Sequence, residues 1–186
     1  PPVAKLGERV DVTSLHFYKV DPARFVYYRD YPVRLATRED LPQLTKLYHG
    51  YEYRRQGRSD AEIIQEIERT WSLSGTYFVL DVSADRPGQE PQIACAACIY
   101  PETDQVGVIG AARTLPQYRG RGLYPSVRTA AFEHLFRQGK IGIGLIVDTN
   151  TSMHHVLEKQ GGTILGDWWT ARIRPTAYAF DLALES

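Results

Sequence analysis

Two cysteines, one methionine and a net charge of zero are what the 186 residues have least of. Cys95 and Cys98 are too few for a disulfide-stapled domain. Three apart on a strand, they point to opposite faces, a poor placement for sharing a metal. No second Cys or His pair stands nearby, so no metal site is expected, and "IACAACIY" reads as two small buried residues in a reducing, cytoplasmic compartment. The 22 basic and 22 acidic residues cancel, which argues against nucleic acid held on a strongly basic face. No apolar stretch approaches the roughly 20 residues of a membrane span. "PPVAKLGERV" lacks both a signal-peptide pattern and an initiator methionine. The missing methionine suggests processing, or excision of this piece from a longer protein.

What is present is a globular composition, 43% apolar and 24% charged, at a length that can bury one real core. Residues 1 to about 30 read as an N-terminal extension whose "VTSLHFYKV" has the β-branched and aromatic content of a strand. The main domain, 31–186, opens with a second strand candidate, "YPVRLAT". Two helices follow. Thr37 with Asp40 caps the first and Ser59 caps the second; Leu41, Leu44, Leu47, Tyr48 and Tyr51 share one face, as do Ile63, Ile64, Ile67 and Trp71. "TYFVLDVSAD", "QIACAACIYPE" and "QVGVIGAARTL" form a three-strand meander. "PSVRTAAFEHLFRQG" is a helix stopped by Gly139. "IGIGLIVDT" is the continuous apolar run of a buried, parallel strand, and "NTSMHHVLEKQGG" is a short helix. "TILGDWWTARIRP" and "TAYAFDLAL" alternate like a closing antiparallel pair. The crossover from the meander's last strand to "IGIGLIVDT" makes one parallel connection.

"QYRGRGLY", residues 117–124, sits where that crossover helix begins. A helix start carries unpartnered N–H groups and partial positive charge, and glycine lets an anion approach the backbone. With Arg119 and Arg121 at the edge and no carboxylate, the stretch suits a phosphate. A tight turn with two exposed arginines is the plainer reading. The phosphate-binding loop ending Gly-Lys-Ser/Thr is absent, and Pro125 stands where a dinucleotide fingerprint needs its third glycine.

The order of elements and "TLPQYRGRGLY" resemble the GNAT superfamily of acyl-CoA-dependent N-acyltransferases, whose signature is Arg/Gln-x-x-Gly-x-Gly/Ala. Gln117-x-x-Gly120-x-Gly122 fits every letter; Arg119-x-x-Gly122-x-Tyr124 keeps the spacing from Pro116, and Tyr124 then replaces the last small residue and narrows the pocket. "NTSMHHVLEKQGG" resembles the family's closing motif through Asn150, Glu158, Lys159, Gly161 and Gly162. The resemblance implies a mixed α/β (α+β) GNAT fold: a central, mostly antiparallel sheet of six or seven strands with one parallel crossover and helices on both faces. It implies acetyl-CoA, or another short acyl-CoA, as co-substrate and no metal. Ala112, Arg113 and Thr114 would pair with the pantetheine arm. Backbone amides of Gly120, Arg121, Gly122, Leu123 and Tyr124, beside Arg119, would take the pyrophosphate, and Asn150 would bond the pantetheine.

The implied reaction moves an acyl group to a primary amine on a small molecule or peptide. A carrier-protein thiol in a biosynthetic multienzyme, a neighbouring domain, a homodimer partner and a non-catalytic CoA-binding role stay open. The family's tyrosine acid falls at Leu157, which cannot donate a proton. His154, one turn away, is either a replacement acid or a packed histidine. Asp148 is either a base acting through water or a helix cap. Tyr51 and Glu52 of "YHGYEYRRQ", with Tyr48, Tyr53, Arg54, Trp168 and Trp169, are candidates for the acceptor pocket or for core.

Overall fold

The computed structural model describes residues 9–49, 59–82, 91–100 and 102–174. Each helix follows a local signal. Asp40 accepts from the Thr37 backbone N–H at 2.7 Å, and the turn it closes leads into α1 (Leu41–His49). Ser59 and Glu62 exchange backbone and side-chain bonds, the reciprocal cap that starts α2 (Asp60–Ser72). α3 spans Leu123–Arg137 and α4 spans Thr151–Lys159. Asn150, rather than Asp148, caps α4 by accepting from the Met153 N–H.

The strands are β1 (Arg9–Val20), β2 (Arg34–Leu35), β3 (Thr76–Val82), β4 (Gln92–Ile99), β5 (Val106–Thr114), β6 (Ile141–Val147) and β7 (Gly162–Arg174). They form one seven-stranded sheet in the order β2-β3-β4-β5-β6-β1-β7. Every neighbouring pair is antiparallel except β5 with β6. The expected sheet, meander and single parallel crossover are all present. The closing pair differs. β7 pairs along its length with β1, from Arg9↔Arg174 to Val20↔Gly162, and "TAYAFDLAL" lies outside the described residues. The segment read as an extension thus supplies an inner strand of the sheet.

The sheet separates two apolar clusters. On one face α3 and α4 bring Val127, Ala131, Phe132, Leu135 and Leu157 against Tyr18, Phe78, Leu80 and Cys95. On the other, Leu44, Leu47, Ile63 and Ile67 of α1 and α2 cover Tyr77, Val79, Ala96 and Cys98. The two cysteines therefore serve opposite faces, as strand alternation requires. Burial pushes their thiols up to about 11 and about 12, so both stay neutral. Glycine lets β6 lie close beneath the helices: a Cβ at Gly142 would collide with the Phe132 ring. Among the described residues no helix is long and apolar enough to cross a membrane.

Candidate active site

β5 and β6 pair only from Val106↔Ile141 to Ile109↔Gly144, although each strand runs on. β5 then bulges: Cys98 opposes Gly110 and Ala96 opposes Arg113, so Ala111 and Ala112 share one place on the ladder. Ala111 takes φ +48°. Tyr48 from α1 donates to the Ala111 carbonyl at 2.7 Å and braces the bulge.

A cavity of about 250 Å³ opens between the diverging strands. Gly110 to Arg113 line one wall and Leu145 to Val147 the other. Tyr48, His49, Glu66 and Tyr77 border it on the α1–α2 face, and Tyr124, Asn150 and Met153 on the α3–α4 face. It thus passes through the sheet.

At the α3 end lies the glycine-rich turn. Gly120 and Gly122 adopt φ +74° and +80°, a conformation glycine takes without steric cost. A Cβ on either would meet no atom within 4 Å. Gly122 is the N-cap of α3 and brings no side chain to its N–H groups, which leaves them for an anion. Arg119 Nε donates to the Thr114 carbonyl at 3.2 Å, tying the turn to the end of β5. Arg121 lies over the Tyr118 ring at 5.2 Å, and its carbonyl accepts from Tyr31. Tyr124 lines the cavity, and burial pushes its phenol up to about 12. Thr114 shares a 3.2 Å contact with the Cys95 thiol.

The acid and base candidates sit beside the cavity in a separate network. His16 bridges two carboxylates, Nε2 to Asp148 at 2.8 Å and Nδ1 to Asp167 at 2.6 Å. The Asp148 hydrogen bond above all, with Asp167, holds its pKa above the ordinary 6.5 against partial burial. His154 Nδ1 meets the Tyr18 hydroxyl at 2.8 Å, and Nε2 faces the Val147 and Asp148 carbonyls at 3.2 and 3.1 Å. With two carbonyls at Nε2, that nitrogen donates and Nδ1 accepts from Tyr18. Ligand-capable atoms of His16, Asp148 and His154 lie within 4.8 Å of one another, but these hydrogen bonds already engage them. The network fastens α4, the end of β6 and the middle of β7 to β1. Leu157 is fully buried, with its methyl groups where a Cβ on Gly144 would reach.

Of the acceptor candidates, Tyr48 borders the cavity. Trp168 stacks edge-on against Phe17 at 5.7 Å and, like Trp169, is mostly exposed without lining it. Tyr51, Glu52, Tyr53 and Arg54 lie outside the described residues. Sequence reasoning missed His49, whose Nδ1 is 2.6 Å from Asp60, and the buried Arg128, which donates to Gln160 at 2.7 Å. A histidine closing one helix beside an aspartate opening the next was the available signal for the first pair. An arginine at a buried helical position leaves no signal in sequence.

The fold of this chain is the one that solved GNAT acetyltransferases have. More particularly, residues 88–172 match the family model described as FR47-like protein. A GNAT-family protein from Novosphingobium aromaticivorans superposes with a TM-score of 0.69 at 18% identity, over 90% of this chain and 68% of its own. A GNAT-family acetyltransferase from Colwellia psychrerythraea gives 0.66 at 14%, over 92% and 59%. AAC(6')-Iy in complex with the bisubstrate analogue CoA-S-monomethyl-acetylneamine gives 0.56 at 16%, over 70% and 88%. The chain therefore spans 68% and 59% of the length of the first two. No curated protein sequence matches it.

Proposed function

We propose that the chain transfers an acetyl or other short acyl group from acyl-CoA to a primary amine. The observation that carries this reading is the cavity through the sheet, bordered at one end by Tyr124 of α3, the helix whose glycine-built start has no carboxylate in its turn. Acyl-CoA fits that arrangement. Its pyrophosphate lies on the amides of Gly120 to Tyr124, with Arg119 and Arg121 at the edge. Its pantetheine arm runs along Ala112, Arg113 and Thr114 of β5 and past Asn150. The amide nitrogen of Asn150 makes no hydrogen bond to a described residue, since only its oxygen is used in capping.

The amine enters from the α1–α2 face, where Tyr48, Tyr77 and Glu66 line the cavity. Holding the two reactants at opposite ends of one passage supplies much of the rate through proximity. His154 and Asp148 act here by fixing α4 and β1 beneath the passage.

Thiol release from acetyl-CoA, measured against a panel of primary amines, tests the proposal. Amine-dependent release is expected, together with calorimetric binding of acetyl-CoA. Absence of acetyl-CoA binding would overturn it. Binding without release for any amine would leave a CoA-binding domain.

A further inference from the structure

The geometry points to His49, oriented by Asp60, as the base that takes a proton from the acceptor amine; this rests on acyl transfer in the cavity as proposed above. A primary amine is mostly protonated near neutral pH and then has no lone pair with which to attack. Something at the acceptor end must accept that proton.

The five histidines of the chain are sorted by their surroundings. His16 is held at both ring nitrogens by carboxylates, and His154 by Tyr18 and two carbonyls. His134 packs against Phe78 under α3. His155 is exposed on α4 and does not border the cavity. Among the five, only His49 lines it. The Asp60 carboxylate, 2.6 Å from Nδ1, accepts the proton on that nitrogen and leaves the lone pair on Nε2. Nε2 makes no hydrogen bond to a described residue.

Position is set by the neighbouring residue. Tyr48 bonds the bulge of β5, so the C-terminal end of α1 is tied to the strand along which the acyl arm lies. The other charged groups on the cavity are Glu66 from α2 and Arg113 from β5. A carboxylate is ordinarily a weaker base than imidazole by about two pH units, and a guanidinium accepts no proton. His49 is exposed on its outer side, which gives the proton a route to water.

The step balances as follows. His49 takes one proton from the ammonium. The freed nitrogen lone pair attacks the thioester carbonyl carbon, the C–N bond forms, and the C–S bond breaks with its electron pair on sulfur. A second amine proton passes to the thiolate. The products are the amide, the CoA thiol and one proton that His49 returns to solvent.

The test uses His49→Ala and Asp60→Asn with an amine that the parent acylates, alongside calorimetry with acetyl-CoA. In His49→Ala, kcat/KM for the amine should fall roughly 100- to 10,000-fold while acetyl-CoA affinity is unchanged. Added imidazole should restore the rate with dose, and so should raising the pH toward the amine's own pKa. Asp60→Asn should show a smaller loss. A parent-like rate in His49→Ala, or a loss that neither imidazole nor pH rescues, overturns the assignment while leaving acyl transfer intact. A parent protein that releases no thiol with any amine overturns both.

Discussion

Gly122 shows how much one residue can carry at the start of α3. Its φ of +80° suits glycine, and the space beside its Cα is open. Gly122→Val would therefore strain the backbone and place a branched side chain in the proposed phosphate site. The expected result is a modest fall in Tm, about 1–2 kcal/mol of left-handed strain, and loss of acetyl-CoA binding by calorimetry. Retained affinity in the folded variant would remove the anion role from this turn. The glycines were legible in the sequence because their chemistry is local. The positive φ of Ala111 was not, since nothing in an alanine announces a bulge that is defined only by its pairing with the neighbouring strand β4.

At the scale of elements, an exposed arginine of β2 ties the buried Asp40, in the turn before α1, to the half-buried Asp81 of β3. Arg34 donates two bonds to Asp40 at 2.7 and 2.8 Å, and two to Asp81 at 2.6 and 3.0 Å. The Arg34 hydrogen bonds above all, opposed by burial, hold the Asp40 carboxyl below its ordinary pKa. A depressed carboxylate contributes stability above its unfolded pKa and loses it as pH falls through the folded value. Tm should therefore drop as pH is lowered below about 4, the ordinary carboxylate range. Arg34→Ala should cost about 1–3 kcal/mol near neutral pH, because Asp40 would stay buried without its partner. The variant should also lose part of the acid dependence; parallel Tm curves for the two proteins would assign that dependence elsewhere.

The helices of this fold were readable because their caps and apolar periods lie within a few residues of one another. Partner choice among strands was not, because β1 and β7 meet through residues far apart in sequence. The same distance hid the imidazole that joins three strand segments. His16 on β1 reaches Asp148 just beyond β6 and Asp167 on β7, and its pKa is raised by the first of these before the second. A raised histidine contributes fully below pH 6.5 and loses its contribution as pH rises through the folded value. The molecule as a whole should thus lose some stability between pH 6.5 and the alkaline range. His16→Asn should flatten that part of the curve when Tm is followed by circular dichroism. An unchanged alkaline slope would separate the clamp from global stability.

The inner position of β1 also bears on the order in which the molecule can be assembled. His16 and Asp148 are 132 residues apart, and a ribosome delivers β1 long before either strand that flanks it. During synthesis that two-edged strand must wait with its backbone groups unpaired while β3, β4 and β5 can already form their meander. Closure then depends on contacts of high sequence separation, the kind that slows folding and leaves edges open to wrong partners. A circular permutant that places residues 9–20 after residue 174, through a linker long enough to turn back, should refold faster at similar stability, because the last insertion would become a hairpin.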